Sequence, residues 1–130
     1  MKRMKLRITG KCLLLLILIF AYAPAFSQTE RIEDNYTAAK FKAYYNRSKI
    51  DSIYLMFSPD LQGALPKDKA HEFLGALKAQ AGTIKAMEFK KYEGPYASYR
   101  TTFEKGTFAV NIALDASHKI NGFFVKPYED

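Results

Sequence analysis

The chain has 130 residues, room for one domain, with 20 basic and 13 acidic side chains, 15% aromatics and no tryptophan. Its net charge of +7 does not point to nucleic acid: Lys2, Arg3, Lys5, Arg7 and Lys11 all precede residue 28, no Asp or Glu does, and the remainder carries only +2. The one cysteine, Cys12, also lies in that first stretch, so residues 28–130 exclude thiol catalysis, disulfides and thiolate metal sites.

Residues 1–27 read as a secretory signal peptide, with a basic start, an apolar run from Cys12 to about Tyr22 and a small-residue cleavage site. Cleavage is predicted after Ser27, with Ala25 at the third position back, or after Ala25, following Ala23. The alternative is an uncleaved membrane anchor, but the run falls short of the roughly 20 residues a spanning helix needs. A lipid-modified cysteine would follow the run, and Cys12 precedes it. The expectation is an exported protein, periplasmic or extracellular, that meets a membrane only during export and folds as a single domain over 28–130.

From Thr29 to Arg47 the pattern is helical, with Ala38, Phe41 and Tyr45 on one stripe and Ile32, Tyr36 and Ala43 on another. Two stripes predict a helix covered on more than one side. Ser48-Lys-Ile-Asp51 reads as a capping-box start for a second helix that buries Ile50, Ile53, Tyr54 and Phe57 and stops at Ser58-Pro59. A loop through Gly63 follows. Pro66 suits the first position of a third helix, whose stripe is Ala70, Phe73, Leu74, Leu77 and Ala81 and which Gly82 ends.

The rest reads as a four-strand meander over Thr83–Tyr92, Tyr96–Glu104, Thr107–Asp115 and Lys119–Lys126, with turns at Gly94-Pro95, Lys105-Gly106 and Ala116-Ser117. The fold class is therefore α+β, with three N-terminal helices packed on one face of a curved four-stranded antiparallel sheet. Counting loops of three, two and three residues puts Met87, Phe89, Tyr99, Thr101, Phe103, Phe108, Val110, Ile112, Leu114, Ile120 and Phe124 on the helix side. The other side receives Glu88, Ser98, Arg100, Ala109, Asn111, Ala113, Phe123 and Val125.

The helix-side face offers no Asp, Glu or His, so no catalytic residue is assigned. Its candidate pocket is Tyr45, Tyr54, Met87, Tyr99 and Thr101, where the tyrosines read first as core aromatics with hydroxyls at the rim. His71 and His118 are isolated, without the spacing of a metal site or triad, and no phosphate-binding loop is present, so no metal or cofactor is expected. Lys90 and Lys91 beside Phe89 and Tyr92 do not make a nucleic-acid site at a charge of +2. On the second face Glu88, Arg100, Asn111 and Phe123 count into one row beside Val125, either a solvated face or a candidate interface.

The stretches YYNRSKIDSIYLMFSPDLQGALP, FLGALKAQAGTIKAMEFKKYEG, YRTTFEKG and LDASHKINGFFVKPY carry a resemblance. Over about Ala39 to Tyr128 the chain resembles the nuclear transport factor 2-like superfamily, and more narrowly an exported bacterial domain of unknown function. That domain often stands ahead of a serine hydrolase or α/β-hydrolase, which would begin about where this sequence stops. The resemblance implies a cone-shaped fold, homodimers through the sheet face and an exported hydrolase as partner. Superfamily enzymes carry Asp, His or Tyr in the cone, and only tyrosines match here. The expected function is a non-catalytic binding or accessory domain, holding a small apolar ligand in the cone or a partner on the open sheet face. The alternative is a small lyase or isomerase using tyrosine hydroxyls.

Overall fold

Helix α1 (Ile32–Asn46) opens with Glu33 and Asp34 in its first turn, where carboxylates favour the unpaired amides. The computed structural model describes residues 28–129, so the predicted leader over 1–27 and its cleavage sites lie outside the described residues. Asp34, Thr37, Ala38, Phe41 and Tyr45 are buried along one face of α1. The second stripe is not covered as expected: Ile32 is 83% and Tyr36 63% exposed, and Ala43 is exposed as well.

Four helices precede the sheet among the described residues, one more than expected. Ser48 does not cap; it adopts the left-handed conformation (φ 58°), turning the chain, and its Oγ accepts from Lys78 Nζ at 2.6 Å. Helix α2 (Ile50–Tyr54) therefore starts after Lys49 without a side-chain cap. Ser58-Pro59 stops α2 and also starts α3 (Pro59–Ala64): Pro59 takes the first helical position, and Ser58 Oγ accepts from the Leu61 amide at 3.1 Å. Helix α4 (Lys67–Ala81) follows directly on Pro66 and ends at Gly82, whose φ of +83° suits glycine.

Strands β1 (Ile84–Glu93), β2 (Tyr96–Phe103), β3 (Gly106–Leu114) and β4 (Ile120–Pro127) form one antiparallel sheet in sequence order. The α+β arrangement is as read from sequence. The helices cover one face, and Phe41, Tyr45, Ile53, Phe57, Leu74, Phe103, Val110, Ile112 and Ile120 fill the space between.

All three registers depart from the count. Between β1 and β2 the central pairs fall as counted, with Glu88 opposite Arg100, but irregularities between Ile84 and Ala86 and between Phe89 and Lys91 shift the pairs at both ends, so that Ile84 faces Phe103 and Tyr92 faces Ala97. The β2–β3 turn is Glu104-Lys105, with Phe103 opposite Gly106, so Arg100 lies across from Ala109 and Ser98 from Asn111. Faces survive that two-residue shift; rows do not. Between β3 and β4 a bulge intervenes: Leu114 faces Ile120 but Ala113 faces Gly122, leaving Asn121 as the extra residue. Because side chains alternate, one extra residue exchanges the faces of everything beyond it. Phe123 and Val125, expected on the outer face, therefore lie opposite Ile112 and Val110 on the helix side, and Phe124 points outward. Phe123 stacks obliquely on Phe41, with ring centres 5.1 Å apart, and its edge meets Phe73.

Helix-side segments also pin points on the sheet edges. The Asn46 amide accepts from Ile84 N at 2.8 Å and donates to Ile84 O at 2.9 Å, standing in for a neighbouring strand. Gln28 Oε1 accepts from Tyr92 N at 2.9 Å near the other end of β1. At β4, Phe57 makes an isolated bridge to Ile120, Ser58 N donates to Ile120 O, and Ser58 Oγ donates to the bulge residue Asn121 at 2.7 Å.

Candidate functional site

The five candidate pocket residues do not meet in one cavity. Tyr45 donates its hydroxyl to Gly82 O at 2.8 Å, Tyr54 to Gln62 O at 3.3 Å and Thr101 to Tyr99 O at 3.2 Å. Tyr45 lines a groove of about 260 Å³ beside α4, and Met87 and Tyr99 line a separate one of about 200 Å³ beside α1. The space expected for a ligand is occupied by Phe41, Phe57 and Phe103.

Two of the tyrosines do have acidic partners, supplied by a residue ahead of α1 and by its first turn. Tyr99 donates to Glu30 Oε2 at 2.6 Å, and Tyr92 donates to Asp34 Oδ2 at 2.7 Å. Arg31 Nε donates to the same oxygen at 2.9 Å, and the Arg31 amide donates to the Tyr92 hydroxyl at 2.8 Å. Burial, then the Glu30 carboxylate, pushes the Tyr99 phenol far above its ordinary value, and burial raises Tyr92 as well. Tyr45 is pushed up to about 12, by burial first and the Glu104 charge second. Phenols held this firmly protonated act as donors, and here they clasp residues 28–34 to β1 and β2.

Of the interface candidates, Glu88, Arg100 and Asn111 lie on the outer face, while Phe123 and Val125 do not. The observed rows are Glu88, Arg100, Ala109, Lys126 and, beside it, Lys91, Ser98, Asn111, Phe124. Asn111 is fully buried and its Oδ1 has no partner among the described residues. Gly122 leaves room for the Tyr96 ring, whose hydroxyl would come within 2.5 Å of any added Cβ, and Tyr96 meets Phe124 edge to face at 4.9 Å. The Arg100 guanidinium lies 5.4 Å from the Tyr128 ring.

A larger opening lies elsewhere, along the uncovered stripe of α1. A groove of about 670 Å³ is walled on one side by Ile32, Tyr36, Lys40 and Tyr44, four residues apart along the helix. Leu55 and Met56 beyond α2, with His118 and Lys119 from the β3–β4 turn, form the other wall. Three of the large hydrophobic side chains left most exposed, Ile32, Tyr36 and Leu55 (69%), line this groove. The regular spacing of the stripe was the sequence signal for it; the wall opposite had none.

The family model described as "Protein of unknown function (DUF3887)" matches residues 38–123, from the middle of α1 to β4. The chain belongs to the DUF3887 family. The match includes Tyr45, Tyr54, Tyr92, Tyr99, Asn111 and most of the groove, while the Glu30–Asp34 clasp precedes it. No curated protein and no solved structure matches this DUF3887 chain. Among the described residues no cluster of His, Asp or Glu is arranged to hold a metal, and no helix is long and apolar enough to cross a membrane.

Proposed function

We propose that this DUF3887 chain is an exported accessory domain of nuclear transport factor 2-like fold that binds a partner molecule without transforming it. The observation that carries the reading is the state of the interior tyrosines. Each hydroxyl donates to a structural acceptor, Tyr99 to Glu30, Tyr45 to Gly82 O and Tyr54 to Gln62 O, and aromatic rings fill the space a substrate would need. General acid–base work requires a proton donor within reach of a substrate. The grooves beside Tyr45 and Tyr99, about 260 and 200 Å³, lie below the range of about 300–1,000 Å³ usual for small-molecule sites, which favours binding over a lyase or isomerase acting through these hydroxyls.

The test is Tyr99→Phe in residues 28–130. Loss of a hydrogen bond to a charged group predicts roughly 1.5–3 kcal/mol lower stability in urea titration. Enolisable ketones and β-hydroxy carbonyl compounds should be unchanged by either protein. Turnover by the native domain that disappears in Tyr99→Phe or Tyr54→Phe would overturn the reading.

A second reading, association through the outer sheet face with another copy or an exported hydrolase, is favoured by that face's chemistry. Phe124 is 38% exposed there and meets the Tyr96 ring edge to face, with Arg100 beside Tyr128 on the same side.

A further inference from the structure

We propose that the groove between α1, the end of α2 and the β3–β4 turn is the binding site of a long-chain carboxylate, an unesterified fatty acid. This names the ligand class for the binding-domain reading and rests on it. Ile32, Tyr36, Leu55 and Met56 give the groove apolar walls. Two ammonium groups, Lys40 and Lys119, and the His118 imidazole face it, against one carboxylate, Glu33.

The Lys40 ammonium is available to an anion. Its Nζ lies 5.3 Å from the Tyr36 ring centre and 5.8 Å from that of Tyr44, and among the described residues no carboxylate pairs with it. Across the groove Lys119 Nζ is fixed by Leu55 O at 3.1 Å. Glu33 stands seven residues from Lys40 along α1, about 10 Å. Opposite charges are thus separated along the helix, and an anionic head group is steered to the Lys40 end with its chain along Tyr36 and Ile32.

Size is consistent with a small amphiphile. The groove holds about 670 Å³, inside the range of about 300–1,000 Å³ usual for small-molecule sites. A single acyl chain is an occupant of that scale, and its carboxylate complements the cationic side of the groove.

The experiment is calorimetric titration of residues 28–130, which contain the whole core described above, with palmitate and with hexadecylamine, the same chain bearing the opposite charge. One site that prefers palmitate by about tenfold or more is expected, with the preference lost or reversed in Lys40→Glu. Leu55→Asp should weaken both ligands. Both substitutions are at the groove surface, and unchanged melting temperatures would confirm that the variants fold. Equal affinity for the two amphiphiles, no saturable palmitate binding, or palmitate binding unaffected by both variants would overturn the proposal. So would binding to phosphatidylglycerol vesicles without binding to free palmitate, which would assign the groove to a membrane surface. None of these failures touches the turnover test of Tyr99→Phe, so the two ideas fail separately.

Discussion

At the scale of single residues, the tyrosine hydroxyls set how this domain responds to alkali. The Tyr45 phenol keeps its proton to about 12 in the folded state, against 10.0 for an ordinary tyrosine. A proton held more tightly by the folded than the unfolded state stabilises the fold fully below the unfolded value and is lost as pH rises through the folded one. Urea midpoints should therefore hold to about pH 10 and fall between about 10 and 12. Tyr45→Phe should start lower, having lost its bond to Gly82 O, but fall less steeply. A variant with the native slope would mean that Tyr45 does not titrate in this window. At the acid end the sign is opposite: Asp51 is lowered mainly by the His71 hydrogen bond, and Glu104 mainly by the Thr83 amide. Their stabilisation is present above the ordinary carboxylate range and lost as pH falls through the lowered values. These partners were not legible in the sequence. Glu30 and Tyr99 are 69 residues apart and Asp34 and Tyr92 58, separations at which no local spacing rule operates.

At the scale of elements, one bulge decides which aromatic is buried. Ser58 Oγ donates to Asn121 Oδ1, and Phe57 bridges Ile120, so the chain before α3 fixes the place where β4 gains its extra residue. Deleting Asn121 should force β4 either to slip or to exchange Phe123 for Phe124 on the helix side. The expected cost is at least about 3 kcal/mol, the scale of losing a buried phenylalanine. Asn121→Ala, which removes only the bond to Ser58, should cost about 1 kcal/mol. Equal urea midpoints for the two variants would show that the bulge does not set the register. Alternation did reveal β3 from sequence, and turn residues revealed that four strands follow one another. The bulge was hidden because Ile120, Phe123 and Phe124 satisfy either register, and only packing against Phe41 and Phe73 distinguishes them. Helix α3 was hidden for a similar reason, since Ser-Pro both ends one helix and begins another.

At the scale of the whole molecule, the α1 groove and the outer sheet face are the surfaces proposed for partners. The register correction changes how the second is tested. Phe124→Glu places a charge beside Tyr96 on the outer face, whereas Phe123→Glu drives one into the contact with Phe41. If the face pairs two copies, light scattering of residues 28–130 should give a dimer mass that Phe124→Glu converts to a folded monomer. A native monomer would remove self-association and leave the face to another protein. The site was only half legible. The stripe of Ile32, Tyr36 and Ala43 could be read from helical spacing, but its exposure could not, because no sequence rule says which of two apolar stripes the sheet will cover.

The residues that pin the sheet edges share one property. Gln28 and Asn46, which hold Tyr92 and Ile84 toward the two ends of β1's open side, and Phe57 and Ser58, which hold Ile120 at the start of β4's, all precede the sheet in the chain. A polypeptide that emerges N-terminus first delivers every one of these guards before the strand it protects. The ends of β1 and the start of β4 can thus be pinned as soon as those strands form, which limits their fraying into a template for neighbouring chains while synthesis continues.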